Sequence, residues 1–525
     1  MGRLAMNWAS ALAVAAMAAM MAVAAPANAK PASSSGLDPH WHRGVFMEIF
    51  VRAYQDSDGD GIGDLRGLIS RLDYLADLGV RGLWLMPVTA SADRDHGYAT
   101  TDFRAIEADY GTLADFDELL RQAHARGIGV ITDYVINHSA AAHPVFRAAA
   151  ENPASLARDW FVWSREKPQG WDIWGKDPWT LTPNGSLFAT FGPHMPDFNF
   201  RHPLVLRWHE DNLRFWLDRG IDGFRFDAAP HLVEKDAKDW NDQPESRRIT
   251  RGLRDLVASY GNRHSVCEAT ANPLAYGAEE VCGSAFAFGF EHRVVPAAKG
   301  DAEAIRWLAS YFETAPHTMA TMVSNHDIFA GKRLWDQVAG DETLYRLAAA
   351  TYLLLPGTPF IYYGEEVGLG GVAELGADAQ LRTPMAWTDD ARAAGFTSGT
   401  PFRPLSPNAS RRNAAGERAR RDGLFAFYKA MIALRNDHPA LARGEYFAAH
   451  AAGTVMSHQR RLGDEHLLLV FNYGTAPVVA DVPSPQAVTL TPLWPPRAAA
   501  TNSDAAGRLR VQVPAKSFAV YAVRS

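Results

Sequence analysis

Cysteine is scarce in this 525-residue chain, which has only Cys267 and Cys282. Two cysteines rule out a disulfide-dense scaffold and a Cys-rich zinc module. Two readings of the pair stay open, a single disulfide across a short loop or two buried thiols flanking strands. Positive charge is not in surplus either, since 52 Lys and Arg face 59 Asp and Glu for a net charge of −7. No run of Lys or Arg makes a local basic stripe, so a nucleic-acid partner is not expected. Internal repeats are absent, and no Gly-rich phosphate turn follows the first expected strand, which argues against an open dinucleotide-binding sheet. Membrane-spanning runs are missing too: the apolar stretch near the start is too short and too Ala-rich for an anchor, and no other stretch is apolar enough to span a bilayer.

That first stretch reads as an address. Arg3 supplies a positive start, an apolar segment follows from about Trp8 to Ala25, and Ala27-Asn28-Ala29 fits a small-x-small cleavage site. An export signal is expected over residues 1–29, then a polar tether over 30–40. No cysteine follows the cleavage site, so no lipid anchor is expected. The mature chain should be periplasmic or secreted, free of the membrane and monomeric.

Apolar strands alternate with helix-period segments through most of the chain. Strands are expected at Arg43–Tyr54, Val80–Val88, Ile128–Asn137, Ile221–Ala228, Ser265–Ala269, Phe286–Phe290, Thr321–Ser324 and Pro359–Tyr363. Helices fit Leu65–Gly79, a segment capped by Thr112 and Asp115, and about Pro203–Arg219. Eight strands in this rhythm predict an α/β fold, a (β/α)8 TIM barrel over 41–138 and 201–437. Residues 139–200 break the rhythm with Pro, Gly and Trp and form an inserted subdomain. Residues 438–525 turn to short alternating runs, His466–Phe471, Ala487–Leu493 and Ser517–Val523, and predict a C-terminal antiparallel β-sandwich.

In such a barrel, chemistry gathers at the C-terminal strand ends. Those ends carry Asp133, Asn137 and His138; Arg225 and Asp227; Glu268; and Asn325, His326 and Asp327. Arg225 and Asp227 share a strand face, so the guanidinium should lower the Asp227 pKa and keep a nucleophile ionised. Glu268 follows apolar Val266 and Cys267, where burial raises a carboxyl pKa as a general acid requires. One ionised and one protonated carboxyl suit glycosidic cleavage.

Four segments then stand in order: DYVINH (Asp133–His138), GFRFDAAPH (Gly223–His231), CEA (Cys267–Ala269) and SNHD (Ser324–Asp327). With HGYATTDF (His96–Phe103) and MPDFN (Met195–Asn199), they resemble the signature regions of the α-amylase family, glycoside hydrolase family 13. The likeness is to exported bacterial α-amylases near the oligo-1,6-glucosidase and neopullulanase intermediate group. The resemblance implies an α-glucan substrate and catalytic roles for Asp227 (nucleophile), Glu268 (acid/base) and Asp327 (transition-state stabiliser). It implies substrate contacts from His96, Tyr98, His138, Arg225, His231 and His326, with Asp133 and Asn137 in support. His231 and Asp102 have a purely structural reading beside the functional one.

Departures refine the expectation. Cys267 stands where the family usually has Gly, and Ala99 stands where chain-end-trimming relatives carry an Asp that grips the terminal glucose. The first leaves the acid's identity in place and changes its packing, whereas Ala99, with Ala228 after the nucleophile as in enzymes for α-1,4 links, points to endo-hydrolysis of α-1,4 bonds with retention. The alternative is an α-glucosidase, glucosyltransferase or trehalose synthase acting on maltose-type sugars. Separately, Asp56, Asp58, Asp60, Ile62 and Asp64 form an alternating acidic loop that suits a structural Ca²⁺, although Gly67 replaces the closing Glu of an EF-hand. Similar loops bind calcium in relatives. Of Trp160, Trp163, Trp171, Trp174 and Trp179 in the insertion, most are expected in the core and one or two along the cleft.

Overall fold

A computed structural model describes residues 36–483, 488–496, 501–503 and 508–524. The expected export signal and the tether up to residue 35 lie outside them. Among the described residues no helix is long and apolar enough to cross a membrane.

The core is a ring of parallel strands: β1 (Phe46–Ile49), β2 (Gly82–Leu85), β3 (Gly129–Tyr134), β4 (Gly223–Phe226), β5 (His264–Cys267), β6 (Ala285 and Phe286), β7 (Ala320–Thr321) and β8 (Thr358–Tyr362). Seven of them form one continuous sheet, with β8 pairing β1. Single parallel bridges, Cys267 to Ala285 and Phe286 to Ala320, carry the ring across β6. The TIM-like barrel expected from the strand rhythm is therefore present.

Period-two alternation sorts the barrel lumen into layers. Phe46, Trp84, Ile131, Val266, Phe286, Ala320 and Phe360 form one buried cluster inside it. The rings of Phe46 and Phe360 stack at 4.6 Å, and Trp84 lies 4.9 Å from Phe286. Gly82 leaves the space for Phe46, because a Cβ there would sit 2.4 Å from its ring. Two residues further along the same strands, toward their C-terminal ends, stand Glu48, Asp133 and Glu268, and on β4 Asp227 follows Arg225 at the same spacing. The apolar layer is thus a floor, and the parity of each strand sets a polar layer on top of it.

The expected strands were too long at their ends. After β1 the chain turns into a short buried helix, Val51–Tyr54, which a run of apolar residues cannot distinguish from strand. Beyond Phe286 the chain leaves the sheet and enters the helix Glu291–Lys299. The expected helix Leu65–Gly79 is two, Leu65–Ser70 and Leu72–Leu78, joined at Arg71. Arg71 bonds Gln55 Oε1 at 2.7 Å and lies over the Trp387 ring, contacts that compete with a straight helix. Gly79 closes the pair in the left-handed conformation, as a C-terminal glycine should. The Thr112–Asp115 capping box forms in full on Leu113–His124, and such a cap contributes about 1 kcal/mol.

The stretch after β3 carries a three-stranded sheet (Trp163–Ser164, Trp179–Thr182, Gly185–Phe188). A hairpin, Thr89–Ser91 with Thr100–Ile106, rises after β2 and was not anticipated. The C-terminal region is antiparallel, a six-stranded sheet facing the pair Val478–Pro483 and Arg508–Val513. Leu468, Val470, Val511 and Val513 pack between the two layers. Residue 487 of the expected strand Ala487–Leu493 lies outside the described residues; the strand begins at Thr489. Cys267 and Cys282 are bonded, with Cα atoms 6.3 Å apart, so the disulfide reading holds.

Candidate active site

Arg225, 1% exposed, is the hub of the polar layer. Its Nη1 donates to Asp133 Oδ1 at 2.6 Å and also to Asp227 Oδ1, while Nη2 lies 3.1 Å from Glu268 Oε2. One planar guanidinium therefore holds carboxylates from three adjacent strands, a task that suits Arg and not Lys. Ala228 follows Asp227 in a left-handed conformation, φ 49°. That turn aims its N–H at Glu268 Oε2, 2.9 Å away, at the modest strain such backbone stores in a non-glycine residue.

A second group faces this one. His326 Nδ1 lies 2.6 Å from Glu48 Oε1, and its Nε2 is 3.0 Å from Asp327 Oδ2 and 2.8 Å from the Tyr98 hydroxyl. Tyr98 donates to Asp133 Oδ2 at 2.9 Å, joining the two groups. Arg382 Nη2 donates to Asp327 Oδ1 at 3.1 Å, and Arg382 and Arg403 both grip Asp95, at 3.1 and 2.9 Å.

Burial and charge then set the protonation states. Burial pushes Glu268 up to about 7 and Asp227 up to about 6, in each case against the pull of Arg225. Asp133 is lifted to about 6 in the same way. The expectation that Arg225 would lower the Asp227 pKa is therefore corrected. Desolvation outweighs a cation that three carboxylates share. The order still leaves Asp227 the more readily ionised and Glu268 the more readily protonated. Burial acts to raise Asp327, but His326 and Arg382 overcome it and hold its carboxyl far below the usual range. His326 is buried too, yet Asp327 and Glu48 lift it to about 10, so it is a cation at neutral pH.

The other expected contact residues line the same mouth. His96 Nδ1 accepts from the Tyr98 N–H at 3.0 Å. His138 is 2% exposed, and both its ring nitrogens lack a protein partner; burial drops its pKa to about 3, leaving a neutral imidazole. Tyr98 stacks on His326 at 5.6 Å. His231 stacks on Trp240 at 5.2 Å, and Trp174 meets both at their edges. Trp174 is the exposed member of the insertion tryptophans, at 59%, whereas Trp160 and Trp179 are core. Asp102 is exposed and accepts the Arg104 N–H, a structural role.

Sequence reasoning missed Glu48, Asp95, Arg382 and Arg403. Glu48 carried a readable signal, a lone charge on an otherwise apolar strand. Arg382 and Arg403 come from loops after β8, where spacing says nothing about the site.

The acidic loop is built differently. Asp56 accepts the N–H groups of Asp58, Gly59 and Gly61 at 2.7–2.9 Å and the Thr397 hydroxyl. Asp64 accepts from Ser57 and caps the next helix through Gly67 N. One carboxylate oxygen each of Asp56, Asp58 and Asp64 lie within 4.8 Å of one another, a hard-oxygen set that could hold a cation such as calcium. Asp60 stands outside that set, its carboxylate turned back onto the Ile62 N–H.

A family model for the α-amylase catalytic domain matches residues 48–444. The chain is 32% identical over 448 residues to α-amylase 3 of Dictyoglomus thermophilum, covering 83% of this chain and 85% of that one. It is 34% identical over 466 residues to a trehalose synthase/amylase of Mycolicibacterium smegmatis, covering 78% of each. A crystal structure of an α-glucosyl transfer enzyme superposes with a TM-score of 0.80 at 28% identity, over 93% of this chain and all of that one. With the barrel, the ordered motifs and the carboxylates gathered at its C-terminal end, the chain belongs to the α-amylase family, glycoside hydrolase family 13.

Proposed function

We propose that this enzyme is a retaining α-amylase that hydrolyses internal α-1,4-glucosidic bonds of starch, glycogen or maltodextrins. The observation that carries retention is the grip of one guanidinium on both Asp227 and Glu268. Such closeness suits the spacing of retaining pairs, about 5 Å, and not the wider gap that admits a water in inverting enzymes. Asp227 attacks the anomeric carbon as the bond to the leaving oxygen breaks, and Glu268 gives that oxygen its proton. Glu268, now a carboxylate, takes a proton from water; the resulting hydroxide attacks the anomeric carbon and frees Asp227. Asp327, flanked by the cations His326 and Arg382, stays ionised beside the positive charge that develops on the sugar.

Ala99 supports the endo reading, because the carboxylate that grips a terminal glucose is missing there. One observation favours the second reading, glucosidase or glucosyl-transfer action: Asp95, tied to Arg382 and Arg403, puts a carboxylate near Asp327 from another position. Timed product analysis on maltoheptaose separates the two. The amylase reading expects mixed maltooligosaccharides from the first turnovers; glucose alone, or trehalose on incubation with maltose, would refute it.

In this proposal Asp56, Asp58 and Asp64 would hold a Ca²⁺ whose role is to fasten the loop after β1, remote from the reacting bond. Export is proposed as well, supported by the N-terminal apolar stretch and by the Cys267–Cys282 disulfide, a bond suited to oxidising compartments.

A further inference from the structure

At the end of the barrel opposite the carboxylates lies a cleft of about 210 Å³ between the N-terminal segment, the start of β2 and the helix pair Leu424–Asp437 and Pro439–Arg443. Four arginines line it, Arg43, Arg81, Arg435 and Arg443, against a single carboxylate, Asp38. Among the described residues none of the four guanidiniums makes an ion pair; Arg43 and Arg435 bond backbone carbonyls instead. Arg43 Nη2 donates to the carbonyls of His317 and Ala442, at 2.5 and 3.1 Å. Arg435 is fully buried and donates to the carbonyls of Leu353, Leu355 and Gly357, while its Nε–H has no partner. Behind it Arg460, also fully buried, leaves Nε and Nη1 unpartnered.

A buried donor without an acceptor costs about 1–3 kcal/mol, more when charged. Like charges crowded in a partly desolvated cleft add repulsion. Burial, and after it mutual repulsion, lowers the pKa of Arg43 to about 10 and holds that of Arg435 well below its usual value. Nothing in the proposed glycosidase chemistry uses these groups. What the cleft lacks is an anion with several acceptor oxygens, of a size that roughly 210 Å³ admits.

We propose that this cleft is a binding site for a tetrahedral phosphate oxyanion, free or as the phosphoryl group of a sugar ester. Guanidinium forks match phosphate oxygens in pairs, which is why arginines and not lysines suit such a site. A bound phosphate would tie the segment ahead of β1 to the helices that lead into the C-terminal sheet, so its effect should be on stability and not on turnover.

The test uses the full chain, titrated by calorimetry with inorganic phosphate and with α-glucose 1-phosphate, with chloride at equal ionic strength as control. Melting temperatures are followed in parallel. Saturable phosphate binding is expected, with a rise in Tm that chloride does not reproduce. Arg81→Gln and Arg443→Gln should each weaken binding by about tenfold, leave maltodextrin hydrolysis unchanged, and be partly rescued by Arg→Lys at the same positions. Tighter binding of the sugar ester would assign the site to a phosphorylated sugar; equal binding would assign it to phosphate itself. Equal responses to phosphate and chloride, or undiminished phosphate binding in the double variant R81Q/R443Q, would overturn the proposal. These readouts do not depend on which glucosidic bond the enzyme cleaves.

Discussion

Two clusters of aspartates sit on this molecule, and they are neutralised in different ways. In the barrel mouth the carboxylates face buried cations, Arg225, His326 and Arg382, and several are left with raised pKa values. In the loop at 56–64, backbone N–H groups and hydroxyls donate to the carboxylates, with no side-chain cation within the set. Charge sharing under desolvation leaves protons free to move, which is what acid/base chemistry needs. Hydrogen bonds from a tight turn shape a loop and leave oxygens over for a hard cation. Residue type alone does not distinguish the two.

The largest expected effect breaks the first cluster. Asp227→Asn should cost at least about a thousandfold in kcat with the fold retained, measured as maltodextrin hydrolysis beside circular dichroism; activity within tenfold of the parent would remove Asp227 from its role. Breaking the second cluster should do the reverse. Asp56→Ala is expected to lower Tm by about 5 °C or more, since four hydrogen bonds end on that carboxylate, while kcat near 25 °C holds. A chelator should lower Tm in the parent and have no further effect in Asp56→Ala. An unmoved melting temperature on chelation would leave the loop without a structural ion.

The pH profile sharpens the contrast. Asp227 must be ionised and Glu268 protonated, so kcat/KM should rise through about pH 6 and fall through about pH 7. The profile belongs to the pair, and one pH unit beyond either limb the rate should drop about tenfold. A flat rate from pH 5 to 8 would contradict the assigned protonation order. Smallest is the rim: Trp174→Ala should raise KM for long maltodextrins a few-fold, about 1 kcal/mol of lost stacking, with little change on short ones. An unchanged KM would leave Trp174 as a surface residue.

Much of this was legible in the sequence. Strand parity gave the shared face of Arg225 and Asp227 and the apolar neighbours of Glu268, and the Thr112 cap was read to the residue. What escaped has physical reasons. Hydrophobic runs mark that a segment is buried but not where it leaves the sheet, hence the overlong ends of β1 and β6. The rise of the Asp227 pKa comes first from burial and then from the other carboxylates around the same guanidinium, an enclosure that only the closed ring supplies. Asp95, Arg382 and Arg403 reach the pocket from loops whose path no periodicity encodes.

The central claim is a covalent glucosyl-enzyme on Asp227, and it can be observed directly. The enzyme would be incubated with a 5-fluoro-α-glucosyl fluoride, which slows the second half-reaction, then digested and analysed by peptide mass spectrometry. One added fluoroglucosyl group is expected on the peptide that contains Asp227, lost in Asp227→Asn. A label on Glu268 or Asp327, or turnover with no covalent adduct and with inversion at the anomeric carbon, would contradict it.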